Sequence, residues 1–347
     1  MDKKKLITSL IFIIIVGAVI ISLTVSKKSY AVGTTLVDTV KALNKGSSWS
    51  SGASGVYYTN SHEYRYIGAE VNNYVSFNND LYRIIGVFDS NSHGVSEKEM
   101  VKLIRARTLG GASWGAYNTS NTSGTYSGSA NDWTGKSTTS KANLNVLLNE
   151  YFYNKTETSS TYGDCANWTY YYSNNDYKTK DCSDIITYGI DSSLRGYIEN
   201  ATWHLNGSVT GQSKQNWYLC ERGGNSCTTS GPNTGDASVT SKMGLMYLSD
   251  YLYASGYYSS SDTTTQGNSY YGNKNWLYKG YEWTQTPASS GADHVVWYVR
   301  EGRVLSDNTK WPYSSRPTFY LKSSVYVTGG NGSFDNPYTL GCDNCTE

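Results

Sequence analysis

The chain has 347 residues, a net charge of +1 and only 16% charged residues. That length allows one large domain or two modest ones, and so weak a field steers neither nucleic acid nor an acidic substrate. The 33 tyrosines and 10 tryptophans stand against five prolines, a mixture typical of extracellular recognition surfaces, where rigid rings supply contact area at low entropic cost.

The first element is apolar. Lys3, Lys4 and Lys5 precede an uncharged run from Leu6 to Val25. As a helix rising about 1.5 Å per residue it spans roughly 30 Å, the thickness of the hydrocarbon core. Ser29 to Ala31 places small residues where signal peptidase reads, so residues 1–31 form either a cleaved signal peptide or a retained anchor helix. The run exceeds the roughly 7–15 residues of an ordinary signal core, which favours the anchor. Either way the chain beyond residue 31 is expected outside the cell, secreted or held by a single pass through residues 6–25.

Residues 32–55 come next. Leu36, Val37, Val40 and Leu43 have helical spacing, and Gly46 to Gly55 reads as a Gly/Ser linker. A domain is expected over 56–340. Strand-like runs at Tyr74–Phe77 and Leu81–Phe88 are joined by Asn78-Asn79-Asp80, residues that tolerate the positive φ of a tight hairpin. Val101–Thr108 predicts a third strand. After a polar stretch from Gly110 to Ser140, "SKANLNVLLNEYFYN" predicts a helix with Ser140 as N-cap and Leu144, Leu147, Leu148 and Tyr151 on one stripe.

A second, shorter helix is expected around Ser192–Ile198. Strands follow at Met243–Leu248, Glu282–Thr284, Val295–Arg300 and Arg303–Leu305, with Glu301-Gly302 as a hairpin turn. A last alternating run lies between Ser314 and Leu340. Long polar segments separate these elements at roughly 154–183, 206–241 and 254–280.

All six cysteines follow the apolar run: Cys165, Cys182, Cys220, Cys227, Cys342 and Cys345. An even count in an exported chain reads as disulfides. Pairing sequence neighbours gives Cys165–Cys182, Cys220–Cys227 and Cys342–Cys345, with other connectivities open. The first two would pin long loops, and the third lies in a short tail, 341–347.

Catalytic signatures are weak. "GASWG" matches the nucleophile-elbow pattern around Ser113, but the residues after it are poor helix formers. The four histidines, His62, His93, His204 and His294, show no short ligand spacing. "CDNC" has redox or zinc-half spacing yet opens no helix in a βαβ unit. Asn331, Asp335 and Asn336 in "GGNGSFDNP" offer one carboxylate, thin for calcium, and read better as a tight turn. No catalytic residue, metal or cofactor is therefore expected.

"YIGAEVNNYVSFNNDLYRIIGVFD", "VKLIRA", "ATWHLNG", "KMGLMYLSDYLYAS", "WTQTP" and the Ser314–Leu340 stretch occur in this order across Tyr57 to Leu340. In these motifs the chain resembles exported bacterial proteins, many from Firmicutes, that carry a domain of unknown function. That domain is similar to the C-type-lectin-like fold of formylglycine-generating enzymes. The resemblance implies an α+β fold: a mixed and antiparallel sheet core, two helices and disulfide-pinned loops behind an N-terminal membrane helix. It places Trp283–Pro287 in a tryptophan-led strand and Arg316-Pro317 at the start of a returning one, with a ligand-facing segment between them. A glutamate-proline-asparagine sugar-binding calcium motif, a prepilin cleavage core, a sortase motif and a lipobox are all missing.

The expected function is a non-enzymatic, adhesin-like surface or secreted protein that binds an extracellular glycan or protein. Trp283, Trp297, Tyr298, Asn308, Trp311 and Tyr313 are the candidate contacts, since aromatic faces stack on sugars and anchor protein hot spots alike. The alternatives are a structural, pilus-like envelope component and an exported hydrolase or redox enzyme.

Overall fold

The computed structural model describes residues 33–115, 133–134, 141–165, 169–172, 176–179, 183–207, 213–224, 237–256, 274–278, 280–288 and 295–347. The expected membrane segment lies outside them, as do Cys182, Cys227, His294 and the proposed cap Ser140. Among the described residues no helix is long and apolar enough to cross a membrane. Thr35 to Glu347 form one body, α+β and rich in sheet.

The Thr35 hydroxyl accepts the Asp38 amide and so caps helix α1 (Leu36–Ala42), which buries Leu36, Val37 and Val40. The stretch read as a linker is tied to the body instead. The Gly52 amide donates to Gly256 at 2.8 Å, the Gly46 carbonyl accepts the Tyr58 amide at 2.9 Å, and the Trp49 ring lies 5.7 Å from that of Tyr57.

Strands β1 (Gly55–Tyr58), β2 (Tyr64–Ile67), β3 (Tyr74–Phe77), β4 (Asp80–Phe88), β5 (Met100–Arg105) and β6 (Gly111–Ala112) come first. Two small hairpins follow, β7 (Thr158–Ser159) with β8 (Gly163–Asp164), and β9 (Thr169–Tyr172) with β10 (Asp176–Thr179). Next, β11 (Ala201–His204) pairs with β12 (Ser238–Ser241). The rest are β13 (Glu282–Pro287), β14 (Val295–Arg300), β15 (Arg303–Asn308), β16 (Tyr313–Ser314), β17 (Thr318–Tyr320), β18 (Tyr326–Gly329) and β19 (Tyr338–Gly341).

The eight-stranded sheet runs β1-β2-β4-β3-β19-β18, and β5 joins β4 to β17. Asn78 and Asn79 turn the β3–β4 hairpin with φ of 57° and 55°, the doubly positive geometry that suits asparagine. β2 meets only the C-terminal half of β4, beside an irregularity between Ile84 and Gly86. A Cβ at Gly86 would lie 2.2 Å from the Tyr64 carbonyl oxygen, so glycine alone lets β2 close there.

The five-stranded sheet runs β15-β14-β13-β16-β6. Glu301 and Gly302, with φ of 48° and 80°, turn β14 into β15. In β13 the register jumps between Trp283, opposite Tyr298, and Pro287, opposite Val296. This bulge frees Gln285 and Thr286 to bond elsewhere, while the Thr284 hydroxyl still donates to the Trp297 carbonyl of β14 at 2.7 Å. Pro317 precedes β17, consistent with proline entering at a strand start. The Leu36 amide donates to the Val325 carbonyl at 2.9 Å, so the first helix and the closing strands meet.

Several expectations need correction. Met243–Leu248 is not a strand. Gly244 bridges Thr318, and the Leu245 and Leu248 amides donate to Gln285 Oε1 and Thr286 Oγ1, each at 3.0 Å. Bulge side chains replace the ladder there. The "SKANLNVLLNEYFYN" helix begins at Asn143, after Ala142 and without a side-chain cap, and becomes a π-helix over Leu147–Phe152. Its Leu144, Leu147, Leu148 and Tyr151 stripe is buried.

Helices also outnumber the two expected. Ser192–Arg195 is present, but Ser90–His93, Ser183–Thr187, Lys214–Glu221 and Leu248–Tyr253 join it. Lys214–Glu221 falls within a segment read as loop. Ser213 Oγ accepts the Asn216 amide as its cap, and Trp217, Tyr218 and Cys220 are its buried face.

Candidate functional site

The expected contact residues gather on the five-stranded sheet, at different depths. Trp283 is fully buried, its indole N–H donating to the Ala112 carbonyl at 3.1 Å and the Trp311 carbonyl at 3.3 Å. Trp297 is 2% exposed and stands edge-on to Trp217, centroids 5.1 Å apart. Tyr298 is 5% exposed. These three serve packing.

Tyr313 lies nearer the surface. It stacks on Tyr298 at 4.5 Å, lies 4.8 Å from Trp283 and 5.7 Å from Tyr281, and donates its hydroxyl to Asp307 Oδ2 at 2.7 Å. Burial, then the Asp307 carboxylate, pushes its hydroxyl well above the ordinary tyrosine value. Tyr281 is 37% exposed and carries the Arg300 guanidinium 4.3 Å above its ring. Trp311 and Asn308 are half-buried. Asn308 Oδ1 accepts the Lys310 amide at 3.1 Å, and the Lys310 ammonium lies 5.3 Å from the Trp311 ring. The outcome is a graded ladder: Trp283 and Tyr298 inside, Tyr313 and Trp311 at the boundary, Tyr281 outside, with Arg300, Asp307 and Asn308 around them. Such a surface can stack on a ligand and hydrogen-bond to it. Among the described residues it places no nucleophile beside a general base.

Sequence reading missed a second centre, because its charges are scattered along the chain. Arg65 of β2 donates to Glu63 at 2.6 Å and to Asp250 at 2.8 Å, and Lys102 of β5 lies 2.6 Å from the other Asp250 oxygen. All four side chains are at most 1% exposed. Four rings surround the Lys102 ammonium: Tyr247 at 4.3 Å, Trp203 at 5.2 Å, Tyr320 at 5.4 Å and Phe88 at 5.5 Å. Burial pulls Lys102 down to about 8 despite Asp250. Burial would raise Asp250, but Lys102 and Arg65 outweigh it and hold the carboxyl at about 2.

Ser92 joins Glu63 to Arg222, accepting the Arg222 Nε–H at 3.2 Å. Glu221 is fully buried and accepts the Thr286 hydroxyl at 2.6 Å, the Ser249 amide at 3.1 Å and the Ser249 hydroxyl. Three acids thus balance three bases across the eight-stranded sheet and two helices, with Thr286 of the five-stranded sheet as a neutral donor. Charges so matched and hydrogen-bonded fix an arrangement. A 290 Å³ cleft opens beside Arg222 and Tyr218, lined also by His62, Asp89 and Gln215.

Among the described residues no three His, Cys, Asp or Glu side chains converge as a metal site. Ser113 is buried and its Oγ takes a hydrogen bond from the Asn143 side-chain amide Nδ2, not from a histidine. Cys342 and Cys345 are joined as a disulfide. Cys165 and Cys220 are also disulfide-bonded, while the partners expected for them, Cys182 and Cys227, lie outside the described residues. No family model, curated protein or solved structure matches the chain.

Proposed function

We propose that the chain is a surface or secreted binding protein, adhesin-like and without catalytic activity, with a C-type-lectin-like body. Its recognition face is the outer rim of the five-stranded sheet, where Tyr281, Trp311 and Tyr313 meet Arg300, Asp307 and Asn308. The ligand class is an extracellular glycan or protein. The graded aromatic ladder carries this reading: buried Trp283 and Tyr298 back Tyr313, so the outer rings are pre-positioned and lose little entropy on binding. The lectin-like assignment is supported by the meeting of Leu36 with Val325 and by the strand that returns after Arg316-Pro317.

A glycan array followed by titration calorimetry on the purified full chain tests this. A hit should weaken by about tenfold or more in Tyr281→Ala and Trp311→Ala, in line with ring-stacking losses on the order of 1–3 kcal/mol, while Tyr281→Ala stays within a few degrees of the parent melting temperature. A hit that ignores both substitutions would remove the recognition face from this sheet.

A further inference from the structure

The geometry points to a second binding site, for a carboxylate-bearing sugar residue, in the cleft between the β3–β4 hairpin and the turn that joins β18 to β19. The cleft has a volume of 560 Å³, and Tyr74, Leu81, Arg83, Arg107 and Phe334 line it. That volume admits a small ligand.

The first observation is Phe334. It is 65% exposed, the most exposed large apolar side chain among the described residues, and stands edge-on to Tyr74 with centroids 5.4 Å apart. A single exposed ring is unremarkable alone, but this one is held in place. Gly330 and Gly332 have φ of 81° and 78°, and a Cβ on them would lie 2.0 Å from the Pro337 carbonyl oxygen and 2.5 Å from the Tyr338 ring. Asn331 donates its amide to the Asn336 carbonyl at 3.0 Å and accepts the Ser333 amide on its side chain at 3.1 Å. The Gly332 carbonyl takes the Tyr74 amide at 2.8 Å. The turn is rigid and presents its phenylalanine over the cleft.

The second observation is Arg83. Arg65, Arg105 and Arg316 are buried, and each meets a carboxylate: Glu63 and Asp250, Asp80, and Glu282. Arg83, 6% exposed, breaks that pattern. Its donors reach neutral acceptors only: Asn73 Oδ1 at 2.7 Å, the Trp276 carbonyl at 3.0 Å and the Val71 carbonyl at 3.3 Å. Its guanidinium is packed 4.3 Å from the Tyr74 ring and 4.5 Å from that of Trp276. A buried cation is costly without a counter-charge; among the described residues Arg83 has none within ion-pair distance, and a ligand carboxylate at this wall would supply one.

Arg107 adds a second cation at the mouth. Its side chain is 67% exposed and spends one nitrogen on Asp80 at 3.1 Å. Asp80 is itself occupied by Arg105 at 2.6 Å and by the Leu81 amide at 2.8 Å, so it does not cancel the positive pair. The chemistry is an anion held at the Arg107 guanidinium and drawn by the Arg83 charge in the wall, with an apolar face on Phe334. A sugar acid also uses Ser76 and Asn79, which line the same cleft. An extended peptide finds no ladder, because β4 and β19 occupy both edges of β3.

The test titrates the full chain with the methyl glycosides of glucuronic acid and N-acetylneuraminic acid, against methyl glucoside. At least one acid should bind about tenfold or more tightly than the neutral sugar, the margin of a charge-assisted contact. Phe334→Ala and Arg107→Gln should each weaken it by about tenfold at unchanged melting temperature, since both side chains are exposed. Trp311→Ala should leave it intact, which separates this site from the five-stranded sheet. Equal binding of neutral and acidic sugars overturns the proposal. So does acid binding insensitive to both cleft substitutions, or the absence of acid binding.

Discussion

Arg316 holds Glu282 through two nitrogens, with Nε 2.7 Å from Oε1 and Nη2 2.9 Å from Oε2. Nη2 donates also to the Leu277 carbonyl at 2.8 Å, and both side chains are at most 1% exposed. Glu282 opens β13 of the five-stranded sheet, and Arg316 stands just before β17 of the eight-stranded one. The pair ties the tryptophan-led strand to the returning strand.

Lysine cannot replace this arginine, because one ammonium cannot span both carboxylate oxygens and the Leu277 carbonyl. We expect Arg316→Met and Glu282→Leu each to lose about 3–5 kcal/mol in urea unfolding, the range for removing one partner of a buried pair, and Arg316→Lys, which keeps the charge, to lose less. The double variant Arg316→Met/Glu282→Leu should recover most of that, since no lone charge is left. A double variant as weak as the sum of the singles would show that the pair acts through something other than matched charge.

Around Lys102 the two halves of the pair should respond unequally. Asp250→Asn strands the buried Lys102 ammonium and takes one of the two carboxylates from Arg65, which keeps Glu63 at 2.6 Å, whereas Lys102→Met leaves Asp250 its Arg65 contact at 2.8 Å and puts an apolar chain among four rings. We expect the first to cost about 3–5 kcal/mol and the second less than half of that. Chemical denaturation of both variants checks the order. The reverse order would mean that the cation, held by the rings, is the larger contributor.

Legibility in the sequence followed the range of the interactions. Asn78-Asn79 and Glu301-Gly302 announced their hairpins because a positive φ is a local demand. The Leu144–Tyr151 stripe revealed a helix, though nothing local marked its π turn. Gly244 to Leu248 looked like a strand because it is buried and apolar, yet its partners are side chains from a bulge some forty positions on. The contact set was legible as a place but not as a depth: Trp297 and Tyr313 read alike until Trp217, from a helix hidden in a polar segment, covered one and not the other. The buried ions were invisible for the same reason, since Arg65 and Asp250 are 185 positions apart.

Acid should weaken the fold in two windows. Burial, aided by the Arg222 and Lys102 charges, lowers His204 to about 4, with its Nε2 on the Asn91 carbonyl at 3.0 Å. The unfolded chain therefore takes up this proton first, so stability falls as pH drops from about 6.5 towards 4. Asp250, held at about 2, stabilises above its unfolded value and loses that stability as pH falls from about 4 towards 2. His204→Gln should flatten the upper window by on the order of 1–2 kcal/mol, discounted because the ring is only partly buried, and leave the lower one. Denaturant midpoints measured across both windows decide this, and an unchanged upper slope would exclude His204 as its source.

The aromatic ladder should divide its residues between stability and binding. Trp297 is 2% exposed and edge-on to Trp217, so Trp297→Ala opens a cavity where two large rings met. Such substitutions cost about 3–5 kcal/mol, a fall in melting temperature of roughly 6–15 °C at 2–3 °C per kcal/mol for a chain of this size. Tyr281→Ala, at a 37% exposed ring, should cost less than about 1 kcal/mol. Tyr313→Phe lies between them, because it keeps the stack on Tyr298 but leaves Asp307 without a donor that reached it at 2.7 Å. A loss of about 1 kcal/mol is expected there, together with weaker binding if Asp307 orients the outer rim. Calorimetric melting of the three variants gives the order Trp297→Ala, Tyr313→Phe, Tyr281→Ala from most to least destabilised. If Tyr281→Ala melted as early as Trp297→Ala, the outer ring would be structural, and this sheet would lack a surface free to meet a ligand.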